Sequence, residues 1–331
     1  MKKMNVLILT DTNKHTEHNS LYAIVREMVA HERLGDIIVA DRNLDKNYPF
    51  FEESDFSALF GVIIDERFNF TTGKTILSKE CRLIDTNSID FVFMRLPRPM
   101  SDEFLISIST YFNRPFINEP IGMIETSSKK FLLNFQQFCP SMKYCKSSED
   151  ILMMSNKEDI VLKPLRDYGG KGVVKISGDQ VDIGDEVISY NQYYSSISDQ
   201  LQSEGYLAMK FLKNVTKGDK RLLVVDGEIL GCSLRLPAEN TWLCNVARGG
   251  TSITSEATEK EIEMVKFINP LLKEKGILIY GVDTLENDNE ERVISEINTL
   301  SIGGWPQAQI QSGKPIISIL INKMIDYVRT K

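Results

Sequence analysis

Short apolar runs alternate with helix-periodic stretches over the first third of the chain. Val6-Leu7-Ile8-Leu9-Thr10 is a compact run with β-branched residues, and Asn19-Ser20 caps a helical stretch from Leu21 through Met28. A second run, Asp36-Ile37-Ile38-Val39-Ala40, follows the turn Leu34-Gly35, and Phe91-Val92-Phe93-Met94 reads as a further strand. Strand, helix, strand at this spacing predicts a parallel α/β unit. In such sheets ligands sit beyond the carboxyl ends of the strands. Residues 11–19 and the loop Arg95-Leu96-Pro97-Arg98-Pro99 therefore become candidate site loops.

The pattern changes after Asn118-Glu119-Pro120. Thr126-Ser127-Ser128-Lys129-Lys130 opens a predicted helix through Phe138. Three hairpins follow. The first runs from Ile160-Val161-Leu162-Lys163 to Val173-Val174-Lys175-Ile176 around the tip Gly169-Gly170-Lys171-Gly172. The second turns at Asp226-Gly227, a favoured two-residue turn, between Leu222-Leu223-Val224-Val225 and Glu228-Ile229-Leu230. The third centres near Asn289 and pairs residues 277–285 with residues 293–297.

At 331 residues the chain exceeds one average domain. A net charge of -7 and a pI near 5.3 remove the global attraction to nucleic acid or anionic membranes. Neither is expected as a partner. The basic start Met1-Lys2-Lys3 resembles a signal peptide, but Asp11 cuts its apolar run short, and no stretch nears the roughly 18 apolar residues of a membrane span. A soluble cytoplasmic protein is expected. Five cysteines without a CxxC pair predict neither a disulfide framework nor a zinc ribbon.

Three features carry chemistry together. Lys163 and the Gly169-Gly170 tip suit a phosphate, because glycines let backbone N–H groups approach oxygens while the lysine fixes a charge. Asp283, Glu296 and Asn298 fall on one face of the third hairpin, an oxygen set suited to Mg2+. Gly218-Asp219-Lys220-Arg221, with Arg235 beyond the turn, can neutralise phosphate charge or orient a carboxylate. His31 lies on a helix and reads as structural, whereas His15 and His18 lie in a candidate site loop.

The order and spacing of Ile160-Val161-Leu162-Lys163-Pro164, Gly169-Gly170, Gly218-Asp219-Lys220-Arg221, Gly281-Val282-Asp283 and Glu296-Ile297-Asn298 resemble the ATP-grasp superfamily, and within it prokaryotic glutathione synthetase. Upstream, Met94-Arg95, Pro99, Asp102-Glu103-Phe104 and Asn118-Glu119-Pro120 extend the likeness over most of the chain. The resemblance implies a Rossmann-like N-terminal substrate domain (residues 1–122) and two α+β ATP-grasp subdomains, a central lid (123–205) and a catalytic part (206–331). It implies ATP with two Mg2+ ions, Mn2+ being the alternative metal. Lys130, contested by Lys129, and Lys163 would bind phosphates; Lys210, Phe211 and Leu212 would form the adenine hinge; Asp219 would meet the ribose, with Arg221 beside the nucleotide. Asp283, Glu296 and Asn298 match the metal ligands. Arg235 is the expected oxyanion or carboxylate partner, and Arg95, Asn245, Arg248, Gly303 and Gly304 the expected substrate contacts. The substrates would be small peptides and amino acids, and the assembly a homodimer or homotetramer.

The sequence departs from that family in residues 238–251. Leu243 and Thr251 stand where arginines are usual, and Asn245-Val246-Ala247-Arg248-Gly249-Gly250 resembles ribosomal-protein glutamate ligases instead. Trp305, after Gly303-Gly304, is either an apolar wall of the substrate site or core packing.

Overall fold

The computed structural model describes residues 2–70, 77, 80–237, 242 and 251–331. Three sheets organise them. The first contains β1 (Met4–Thr10), β2 (Leu34–Asp41), β3 (Phe60–Ile63), β4 (Arg82–Leu83), β5 (Phe91–Arg95) and β6 (Phe116–Ile117), in the order β4-β3-β2-β1-β5-β6. β2, β1, β5 and β6 run parallel, as predicted, while β3 and β4 are added antiparallel at one edge. The order reverses direction between β1 and β5. Loops beyond their carboxyl ends therefore diverge and leave a crevice. Helices α1 (Ser20–Ala30), α2 (Tyr48–Glu52), α3 (Asp102–Tyr111) and α4 (Pro120–Thr126) accompany this sheet. Asn19 caps α1 by accepting from the Leu21 amide, matching the capped helix read from the sequence.

The second sheet has the order β11-β10-β9-β8-β12-β7, from β7 (Met142–Cys145), β8 (Ile160–Pro164), β9 (Val174–Ser177), β10 (Gln180–Asp182), β11 (Val187–Ser189) and β12 (Tyr206–Lys210). It packs with α5 (Ser148–Ser155) and α6 (Tyr190–Ser203). The segment Lys129–Phe138 that leads into it is not the predicted α-helix. It is 3₁₀-helical, with a break at Phe135 (φ -129°, ψ 30°). At three residues per turn rather than 3.6, the faces of its side chains shift.

The third sheet runs β15-β14-β13-β16-β17: β13 (Asp219–Val225), β14 (Glu228–Leu236), β15 (Thr251–Thr254), β16 (Ile279–Glu286) and β17 (Arg292–Asn298). Asp226 (φ 48°) and Gly227 (φ 78°) make the predicted turn, both with positive φ as a type I′ hairpin needs. Helices α7 (Glu259–Glu274), α8 (Trp305–Ser312) and α9 (Ile316–Arg329) complete this part. α9 buries Ile317, Leu320, Ile321, Met324 and Ile325 in a core shared with α1. At about 1.5–3 kcal/mol per buried side chain, that face anchors the C-terminal helix on the N-terminal sheet. Asn118 at the end of β6 adds polar stitching: its amide donates to the Ile279 and Thr299 carbonyls (2.7 and 2.9 Å) and accepts from the Leu278 and Ile279 amides. Among the described residues no helix is long and apolar enough to cross a membrane, and Cys139, Cys145 and Cys232 are free thiols.

Candidate active site

The three sheets meet around a cleft of about 400 Å³. Its walls carry Arg98, Lys129, Lys163, Arg166, Lys210, Arg221 and Arg235 against Asp167, Asp219, Asp283 and Glu296. In a chain of net charge -7, this is a locally cationic cavity suited to a polyanion.

Register builds the floor. In β13–β14, Leu230 is an extra residue, so a bulge brings Arg235 opposite Asp219, where uninterrupted counting from the turn would bring Leu234. A second bulge in β16–β17, at Ser295, brings Glu296 opposite Asp283. Arg221 stands across from Asp283 on the other side. Strand alternation turns Asp219, Arg221, Asp283 and Glu296 toward the cleft. Arg235 donates Nε to Asp219 Oδ1 at 2.7 Å, and its Nη2 reaches both Asp219 and Asp283, the latter at 2.9 Å. Arg221 Nη2 donates to Asp283 Oδ2 at 2.6 Å, as does Asn298 Nδ2 at 3.2 Å. Burial alone would raise the Asp283 carboxyl, but Arg221 and Arg235 outweigh it and hold the group well below the usual range. Asp219 is pushed up by burial and by the charge of Asp283, with Arg235 opposing.

The basic turn before β13 divides. Lys220 points to the opposite face of the sheet, where its Nζ donates to Glu261 Oε2 (2.9 Å) and to the Glu256 carbonyl (2.9 Å) under α7. Successive strand residues project to opposite faces, so only Asp219 and Arg221 of that turn reach the cleft.

The lysines face the floor from the second sheet. Lys163 on β8 donates to the Ser295 carbonyl at 3.1 Å; burial lowers its pKa and Glu296 partly offsets this. Lys129 is buried, bonded to the Asp167 carbonyl and 3.2 Å from Glu296 Oε1. Lys130 instead lies outside the cleft, its Nζ 4.4 Å from the Tyr144 ring centroid. Of the two lysines between which the expectation stood, Lys129 lines the cleft and Lys130 does not: the Ser128 cap and the 3₁₀ geometry turn Lys129 inward and Lys130 out. Gly169 and Gly170 line the cleft mouth with φ of 68° and 72°, conformations that glycine adopts without strain. Lys210, Phe211 and Leu212 line one end. Lys210 is tied by its side chain to Asp288 (2.9 Å), and the Phe211 ring packs edge-on against Trp242 at 5.7 Å.

The N-terminal rim completes the site. Arg95 is buried and donates Nη1 to the Ile302 carbonyl at 2.6 Å; it does not line the cleft but fixes the segment that does. Gly303 lines the cleft, and a Cβ there would meet nothing within 4 Å. Gly304, with φ 98°, lies back from the cleft and donates its amide to Ser20 Oγ at 3.1 Å. Trp305 is fully buried and bonded to the Ile302 carbonyl through Nε1 (3.0 Å), so it is core rather than substrate wall. His31 is structural, 3.3 Å from Asn322 Oδ1, and His15 Nδ1 lies 3.3 Å from the Tyr22 hydroxyl. Asn245 and Arg248 lie outside the described residues. Arg98 lies in a predicted site loop without having been singled out; a cationic residue between two prolines at the sheet's reversal point was the available signal.

Among the described residues no group of three or more His, Cys, Asp or Glu side chains is placed to hold a metal alone. By donor type Asp283, Glu296 and the Asn298 amide oxygen match Mg2+, which takes a few carboxylates and completes its shell with phosphate oxygens and water; both Asp283 oxygens here accept from Arg221, Arg235 or Asn298, bonds that a metal would replace.

Residues 128–313 match the family profile of the prokaryotic glutathione synthetase ATP-grasp domain. The chain is 29% identical to glutathione synthetase of Agrobacterium fabrum over 242 residues, covering 72% of each chain. It is 23% identical to glutathione synthetase of Neisseria meningitidis serogroup A over 334 residues, covering 98% of this chain and 99% of that one. Among solved structures, D-cycloserine synthetase DcsG superposes with a TM-score of 0.63 at 10% identity, over 98% of this chain and 99% of that one, a likeness of fold. Ligases of this fold use ATP, typically with Mg2+. The profile spans more than half the chain and includes both lysines and the oxygen donors of the cleft, and on that ground the chain belongs to the prokaryotic glutathione synthetase ATP-grasp family.

Proposed function

We propose that this protein is a carboxylate–amine ligase that couples a γ-glutamyl dipeptide to a small amine at the expense of ATP, with γ-glutamylcysteine and glycine as its pair. The observation that carries the reading is the pairing of Lys129 and Lys163 with the Asp283–Glu296–Asn298 oxygens across one cationic cleft.

In this reading the base lies against Met209, Lys210, Phe211 and Leu212, and the phosphates extend past Lys163 and Lys129 under the Gly169–Gly170 tip. Asp283, Glu296 and Asn298 would hold Mg2+, which would supply charge neutralisation for the transferring phosphoryl group. The acid's carboxylate oxygen attacks the γ-phosphorus and ADP departs, leaving an acyl phosphate. The amine then attacks the acyl carbon, loses a proton, and phosphate leaves as the amide forms. Arg235 spends Nε and Nη2 on the two aspartates. Its Nη1 is the nitrogen suited to the developing oxyanion. Asp219 holds that guanidinium, which supports a positioning role for it over a ribose contact.

Purified protein with ATP, Mg2+, γ-glutamylcysteine and glycine is expected to release phosphate and form the tripeptide. Release with a different acid–amine pair and none with this one would reject the substrate assignment and leave the ligase chemistry standing.

A further inference from the structure

Among the described residues Arg98 is a guanidinium of the cleft with no carboxylate partner. It enters from the loop between β5 and α3, donating Nη1 to the Met100 carbonyl (3.0 Å) and Nη2 to Ser127 Oγ (2.7 Å). Its Nε is buried with no hydrogen-bond partner. The other guanidiniums that line the cleft among the described residues are each matched: Arg166 to Asp102, Arg221 to Asp283 and Arg235 to Asp219. Burial and the neighbouring Arg166 disfavour the Arg98 cation more than the charges of Asp102 and Glu204 favour it. A half-buried guanidinium whose Nε is shielded from water and unbonded is costly unless an anion joins it.

Position separates the kinds of anion. The lysines and oxygen donors that suit a phosphate chain come from the second and third sheets and the 3₁₀ segment that leads into the second. Arg98 comes from the first, at the crevice beyond β5, and shares the cleft with Pro97, Ile302 and Gly303. The open space at Gly303 leaves room for a substrate main chain beside it. Arg95, from the same strand end, holds the Ile302 carbonyl and so fixes that wall.

We infer that Arg98 binds a second carboxylate of the acid substrate, remote from the one that is phosphorylated, and so selects acids carrying two carboxylates. This rests on the acid-substrate reading above; in γ-glutamylcysteine the selected group is the glutamyl α-carboxylate. A guanidinium fork matches a carboxylate, and removing one charged hydrogen-bonding partner relaxes discrimination rather than chemistry.

The test is calorimetric titration, at saturating ADP and Mg2+, of γ-glutamylcysteine and of the same dipeptide with its α-carboxylate converted to the carboxamide. Wild type is expected to prefer the carboxylate by about 10- to 100-fold. Arg98→Ala should bind the two within about 2-fold of each other, with its ATP affinity unchanged as the control for folding, and Arg98→Lys should keep part of the preference through charge without the fork. An Arg98→Ala protein that keeps the wild-type preference, or that loses ATP affinity as much as dipeptide affinity, overturns the inference. Wild type that binds both peptides equally overturns it alone, whereas wild type that binds neither rejects the acid-substrate reading and the inference with it.

Discussion

On the cleft floor Arg221 and Arg235 are locked to Asp283 and Asp219, whereas on the rim Arg95 and Arg98 donate only to neutral oxygens. The floor is internally neutralised, and its geometry is set by two bulged hairpins before any ligand arrives. Groups fixed in this way need little reorganisation when charge develops in a transition state. The rim is incomplete without an anion. On the proposed reading the two regions divide the work, the floor toward phosphoryl transfer and the rim toward choice of acid.

The largest effect that would break this division is on the floor. Glu296→Ala should lower ATP-dependent ligation by about 1000-fold or more, because a metal site is worth several kcal/mol of charge stabilisation. Activity within a few-fold of wild type would remove Glu296 from the chemistry. Stability should separate the regions next. Asp219→Ala leaves the partly buried Arg235 with Asp283 alone and is expected to lose about 1.5–3 kcal/mol in urea unfolding. Arg98→Ala, with no carboxylate partner to strand, should lose no more than about 1 kcal/mol. Equal losses would mean that the rim cation is structural.

Much of this was legible in the sequence, and the misses have local causes. The Asp226-Gly227 turn and the third hairpin were visible because turn chemistry and strand alternation are short-range. The Asp219–Arg235 pair was not, because the bulge at Leu230 shifts the register by one residue and no local signal marks it. Which of Lys129 and Lys130 faces the cleft was not legible, because the sequence reads as a helix where the chain winds as 3₁₀. Trp305 was ambiguous until its indole was found on the Ile302 carbonyl.

The lysine assignment gives a smaller test. Lys129→Ala should reduce kcat/KM for ATP by about 10- to 100-fold, and Lys130→Ala should leave it within about 2-fold. The reverse order would restore Lys130 and contradict the 3₁₀ geometry. The smallest effect is in pH. Burial lowers the Lys163 pKa from 10.5, so its charge is lost earlier than usual as pH rises. ATP affinity should therefore fall with increasing pH before the ordinary lysine range is reached, and Lys163→Arg, which keeps its charge, should remove that part of the dependence.

The division between floor and rim depends on a phosphoryl group reaching the acid substrate. The direct measurement uses γ-glutamylcysteine carrying ¹⁸O in the reacting carboxylate, with ATP, Mg2+ and glycine, and mass analysis of the released phosphate. An acyl phosphate predicts that one labelled oxygen leaves with the phosphate while the other stays in the new amide. Unlabelled phosphate released alongside the peptide product would contradict it.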